Sequence, residues 1–149
     1  MELLVQLIQN NPALRVLTEG QGKIVTSYLN DEAYLVAGAF WASKQSYVIV
    51  KSNLYEANQF YMTLKTFLQD DCYYYPFDEA MRMEVLAESP EMLAERLNCY
   101  EAMRGNKPLV VVTHTNAILR HVPSFEIYEK NRHTLKVGMR IDMRKLQEK

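Results

Sequence analysis

Apolar residues at positions 3, 4, 7 and 8 recur at helical spacing and stop at Asn10-Asn11-Pro12, which predicts a short amphipathic helix. Gly20-Gln21-Gly22 marks a turn, and residues 24–28 read as a first strand. Asn30 and Asp31 can cap a helix over residues 33–43. Its Tyr34, Leu35, Val36, Ala37, Phe40 and Trp41 are apolar almost all round, the mark of a buried helix. Tyr47-Val48-Ile49-Val50 is a second strand. Asn53 with Glu56 three residues on has the spacing of a capping box. The helix it opens sets Leu54, Ala57, Phe60, Tyr61, Leu64, Phe67 and Leu68 on one face.

Residues 72–75 form a third strand closed by Pro76, and residues 77–88 carry no clear period. Ser89-Pro90 starts a helix that presents Leu93, Leu97, Tyr100 and Met103 and ends at Gly105-Asn106. Residues 109–112 give a fourth strand and residues 117–121 a short helix. The strands are continuous apolar runs separated by helices. Such strands are buried on both faces, so the fold class is α/β, a parallel sheet covered by helices.

A chain of 149 residues with 48% hydrophobic and 23% charged residues is one ordinary globular unit, not a disordered segment. The net charge of -1 argues against a dedicated nucleic-acid binder, which would be strongly basic. Cys72 and Cys99 are far apart and sit in apolar contexts, as buried free thiols of a reducing compartment do. Glu2 and Gln6 interrupt the first apolar stretch, so no secretory signal is expected. No apolar run reaches the ~20 residues that span a bilayer. These features predict a cytoplasmic protein without a membrane partner. The character changes at Pro123-Ser124: Arg132, Lys136, Arg140, Arg144, Lys145 and Lys149 make the tail basic, whereas residues 70–101 are mostly acidic. The expected division is therefore 1–123 and 124–149.

A phosphate-binding loop would sit between the first strand and its helix. It needs glycines whose N–H groups wrap the phosphates, a lysine for the outer phosphates, and a hydroxyl for magnesium. Leu29-Asn30-Asp31-Glu32-Ala33 has none of these. Asp31 and Glu32 instead place carboxylates at the positive end of the helix. They stabilise it by ~0.3–1 kcal/mol each and repel a triphosphate. Asn30, Asp31, Glu32 and Ala33 thus mark a degenerate nucleotide site. Gly20-Gln21-Gly22-Lys23 precedes its strand instead of following one, so it is a turn. Asp78-Glu79 resembles the acidic box of helicases, but Pro76 intervenes and no phosphate loop supplies a ligand. The alternative of a divergent nucleotide hydrolase rests on these two acids. His114, His121 and His133 show no metal-ligand spacing, and no G-x-S-x-G elbow is present. Thr113-His114-Thr115 reads as a strand exit and helix cap. Tyr73-Tyr74-Tyr75, flanked by acids, is a buried strand sooner than a base-stacking platform. No catalytic residue, metal or cofactor is expected.

Several segments resemble the N-terminal, UvrB-like module of bacterial transcription-repair coupling factors. Residues 25–40 are similar to that family's strand, degenerate phosphate loop and helix. Residues 47–57 are similar to its second strand and helix start. Tyr75-Pro76-Phe77-Asp78-Glu79, Ser89-Pro90-Glu91 and Glu95-Arg96-Leu97 resemble the stretch leading into its third helix. Val110-Val111-Val112-Thr113, Ala117-Ile118-Leu119 and Pro123 match its next strand and turn. Lys136-Val137-Gly138-Met139, Ile141-Asp142 and Leu146 look like the opening of a following small domain.

The resemblance runs over nearly all of the chain. It implies a RecA-like domain without an ATP site (residues 1–123) and the start of a truncated small domain (residues 124–149). It also implies a non-catalytic scaffold role within an ATP-dependent DNA translocase of transcription-coupled nucleotide excision repair. The partners it implies are other domains of the same protein and UvrA through the adjoining small domain. RNA polymerase and DNA would be reached only through parts absent here. Arg140 and Arg144 are the expected partner contacts, with Arg82 and Arg96 as further surface candidates. UvrB itself is the near alternative, but it has an intact phosphate loop and a long aromatic hairpin. Residues 76–89 are too few for that hairpin.

Overall fold

The computed structural model describes residues 6, 10–20, 22–26, 28–78, 89–120, 122–132 and 136–139. The helix expected over residues 3–8 lies outside the described residues except at Gln6, which is helical. Helix α1, Ala13–Glu19, was not legible in the pattern. Asn11 Oδ1 accepts from the Ala13 N–H at 3.0 Å and opens it. Gly20 closes it at φ 66, a left-handed conformation that glycine adopts without strain. Leu14 and Leu17, one turn apart, pack α1 against Ala39 and its neighbours.

Residues 23–26 form no strand, contrary to expectation, and Val25 is 82% exposed. An apolar run becomes a strand only where a neighbouring strand takes up its backbone groups. Helix α2, Leu29–Ser43, begins four residues before the expected 33, with extended Tyr28 as its cap. Asn30 and Asp31 are therefore first-turn residues rather than caps. α2 buries Ala33, Val36, Ala37, Gly38, Ala39 and Phe40, as its apolar composition predicts.

Strand β1, Tyr47–Lys51, leads to helix α3, Leu54–Leu68. The Asn53 side chain accepts from the Glu56 N–H at 2.8 Å, as the capping spacing requires. α3 buries Ala57, Phe60, Tyr61, Leu64 and Leu68 on the predicted face. A 3-10 turn, Gln69–Asp71, leads into strand β2, Cys72–Tyr75. Helix α4, Pro90–Met103, starts at Ser89, whose hydroxyl accepts from the Met92 N–H. Strand β3, Val110–His114, then passes directly into the one-turn helix α5, Thr115–Ile118. The short helix thus lies two residues earlier than residues 117–121. Helix α6, Phe125–Asn131, is opened by Ser124, which accepts from the Ile127 N–H.

The three strands form a parallel sheet in the order β1-β3-β2. Tyr47 and Cys72 both pair with Val110. α2 and α3 cover one face, where Phe40, Phe60, Leu64, Tyr74, Val110 and Val112 make the main core. α4 covers the other face at Cys99, against Leu109, Val111, Tyr73 and Tyr75. Only β3 is buried along its whole length; β1 alternates between half-buried and exposed. The expectation of strands buried on both faces thus holds at the centre of the sheet and fails at this edge, because α4 lies over β2 and β3. α4 itself buries Arg96, Cys99 and Tyr100, and leaves Leu93 and Leu97 of the expected face largely exposed.

Candidate functional site

In open parallel sheets ligands gather at the carboxyl ends of the strands, so that edge is the candidate site. It comprises Lys51 at the end of β1, Pro76-Phe77 after β2, and His114 at the end of β3. The N-terminus of α2 is brought to it by one contact. Lys51 Nζ donates to both carboxylate oxygens of Glu32, at 2.7 and 2.6 Å. The same ammonium lies 4.3 Å from the centre of the Phe60 ring. The Lys51 side chain is 15% exposed and that of Glu32 36%. A charge this far from water needs a partner, and Glu32 is placed to be one.

The four residues of the expected degenerate site all lie in the opening of α2. Asn30 and Asp31 face solvent, Glu32 binds Lys51, and Ala33 is fully buried against the core. The helix end therefore carries its own carboxylates, and the cation nearest it is already engaged.

On the other side of this edge, His114 is fully buried. Its Nε2 lies 3.2 Å from Phe77 N and 3.0 Å from Phe77 O and pairs with one of them according to its tautomer, accepting from the N–H or donating to the carbonyl. Thr113 Oγ1 donates to Tyr75 O at 2.8 Å, and Thr115 Oγ1 to Ser52 O at 2.8 Å. The residues read as a strand exit thus tie the central strand to both neighbours. Arg96 Nη1 donates to Pro76 O at 3.2 Å. Its guanidinium lies 4.6 Å from the Phe77 ring centre, and that of Arg120 lies 5.0 Å away. Arg96, expected on the surface, is buried, because its guanidinium reaches the backbone leaving β2 and stacks on an aromatic face. Glu79, Arg82, Arg140 and Arg144 lie outside the described residues.

Lys51 and Arg120 were not singled out from sequence, Phe60 was read as core, and His114 as a strand exit and helix cap. The one local signal was position: Lys51 and His114 each end an apolar strand run. Among the described residues no group of three His, Cys, Asp or Glu side chains is placed to hold a metal. No described helix is long and apolar enough to cross a membrane. A separate open cleft of about 480 Å³ lies between α3, β2 and α4 and is lined by Tyr61, Lys65, Cys72, Glu95 and Asn98, among others. Burial raises the Tyr61 hydroxyl above its ordinary range, and Lys65 is raised by its bond to Tyr61.

Over 148 residues, 96% of its length, the chain is 26% identical to the transcription-repair-coupling factor of Staphylococcus aureus (strain bovine RF122 / ET3-1). It is 23% identical over 146 residues to that of Staphylococcus haemolyticus (strain JCSC1435). The chain spans only 13% and 12% of the lengths of these relatives, so it matches a small part of each. No family model matches it, and no solved structure does.

Proposed function

We propose that this chain is a non-catalytic scaffold segment of a transcription-repair-coupling factor, with a RecA-like fold whose nucleotide site has been lost. The observation that carries the reading is the Lys51–Glu32 pair at the mouth of α2. In a working phosphate site, a helix N-terminus and a lysine together receive the anion. Here a carboxylate of the same chain takes the lysine, and Asp31 adds a second negative charge to the first turn. A nucleotide would have to displace Glu32 and approach two carboxylates.

In this reading the activity resides elsewhere in the larger protein, an ATP-dependent DNA translocase of transcription-coupled nucleotide excision repair in the cytoplasm. Residues 1–123 supply a rigid body, and residues 124–149 begin the small domain that contacts UvrA. Arg140 and Arg144 are the contacts assigned to that interface or to one with another domain of the same protein. RNA polymerase and DNA are reached through other parts.

The test is titration of the purified chain with a fluorescent ATP analogue and magnesium, following Trp41 and analogue emission together. No binding up to about 1 mM nucleotide is expected; saturable micromolar binding overturns the reading.

A further inference from the structure

Helix α6 has seven residues and none of them is buried; Phe125 and Ile127 are 47% and 53% exposed. Two turns of helix do not persist in water without packing. Among the described residues, the ring and polar contacts of this segment converge on Tyr100, Glu101 and Arg104 at the end of α4. Tyr100 is the anchor. It is 6% exposed, its ring packs against Phe125 and Tyr128, and its hydroxyl donates to Pro123 O just before the helix. Beside that anchor the packing is incomplete. An open hollow of about 370 Å³ lies between Leu97 of α4 and Pro123, Ile127 and Tyr128. α6 is thus seated on one aromatic residue and a rim of charges, not on a filled core.

The rim is a closed ring. Glu101 pairs with Arg104, Arg104 with Glu129, Glu129 with Arg132, and Arg132 with Glu101. The signs alternate around it, and two of the four pairs cross from the end of α4 to α6 and its cap. The Tyr128 hydroxyl adds a bond to Glu101 at 3.2 Å. Charges this open to water hold weakly, but their alternation admits one register. The ring therefore decides where α6 sits more than how firmly. The sheet, by contrast, is held by Phe60, Leu64, Val110 and Val112, which are fully buried. Segments with few buried contacts open on their own, far more often than such a core unfolds.

We propose that α6 is a strap, a unit that undocks from Tyr100 and redocks on it while the three-stranded sheet stays folded. Undocking bares the Tyr100 ring and frees Pro123 O, so the backbone from Pro123 onward can change direction relative to the sheet. Redocking closes the charge ring and restores one fixed exit. The strap does not depend on the function proposed above.

The test is native-state amide exchange of the 149-residue chain in low urea. It compares Tyr128, whose N–H donates to Ser124 O, with Leu64 in the core. Tyr128 should exchange through an opening at least ~100-fold more frequent than the one that releases Leu64, and nearly independent of urea where that of Leu64 is steep. Tyr100→Ala should speed exchange at Tyr128 ~10-fold or more relative to Leu64. Phe125→Ala, at a half-exposed position, should act in the same direction with the circular dichroism unchanged. Equal rates and equal urea dependence at Tyr128 and Leu64 overturn the proposal, because α6 would then open only when the whole chain unfolds. So does exchange at Tyr128 at the rate of an unstructured peptide, or a Tyr128 rate that neither variant changes.

Discussion

Lys51 and Glu32, nineteen residues apart in sequence, meet with the ammonium within 2.7 Å of both carboxylate oxygens. The contact fastens the first turn of α2 to the end of β1. It also takes up the cation that an anionic ligand at this sheet edge would require. A parallel sheet concentrates helix N-termini and strand ends at one edge, so the polar groups there need partners.

Glu32→Gln leaves the Lys51 ammonium largely out of water without a counter-charge. It should destabilise the fold by about 1–3 kcal/mol in urea unfolding. Lys51→Met, which keeps the stem packed on Phe60, should cost less, because the freed Glu32 is closer to solvent. The double variant should be less destabilised than the sum of the two. Strict additivity would mean that the pair contributes nothing.

Burial pushes both the Cys72 and Cys99 thiols up to about 12. Both should resist alkylation at neutral pH in the folded chain and react at once in denaturant. Stability should also fall in alkali. An unfolded thiol ionises near pH 9, whereas the folded one holds its proton to about 12. Between those values the native state binds more protons, so stability decreases as pH rises. The stabilisation is complete below about pH 9 and is lost by about 1.4 kcal/mol per pH unit for each thiol above it. Cys72→Ala/Cys99→Ala should flatten that part of the profile, and a profile as steep as the wild type would contradict the assignment.

His114→Leu removes the buried ring nitrogen that hydrogen-bonds to the Phe77 backbone. Leaving a buried backbone group unpaired costs about 1–3 kcal/mol. The loss should be local as well as global, with faster amide exchange at Phe77 than at Val110 in the same sheet. Uniform exchange would show that His114 acts only by filling space.

Tyr100 holds the segment after β3 in place. Its hydroxyl donates to Pro123 O, and its ring packs at 4.8 Å from Phe125 and 4.7 Å from Tyr128. Arg104 pairs with Glu101 and Glu129, and Arg132 with Glu101. The aromatic stack, in which Tyr100 is buried, should outweigh the ion pairs, which water and salt screen. Limited proteolysis should therefore release residues 124–149 far faster in Tyr100→Ala than in Arg104→Ala. Equal rates would assign the docking of α6 to charge.

The sequence determined the features that depend on neighbours within one or two turns. The Asn53 and Ser89 caps, the apolar face of α3 and the three strands all follow from local spacing, and the structure contains each. The missing glycines between residues 29 and 33 were equally legible, because a phosphate loop is a local backbone device. Local pattern failed where a distant partner decides. Residues 24–28 have strand composition, yet residues 23–26 form no strand, since pairing is made by other strands. Arg96 reads as a surface residue until the backbone leaving β2 accepts its hydrogen bond. Leu93 and Leu97 have core spacing, but the packing of α4 on β2 turns them outward. The Lys51–Glu32 pair, the His114–Phe77 contact and the edge position of β1 in the described sheet belong wholly to the tertiary structure. They arise from the order β1-β3-β2, which brings together residues far apart in the chain and which no local period encodes.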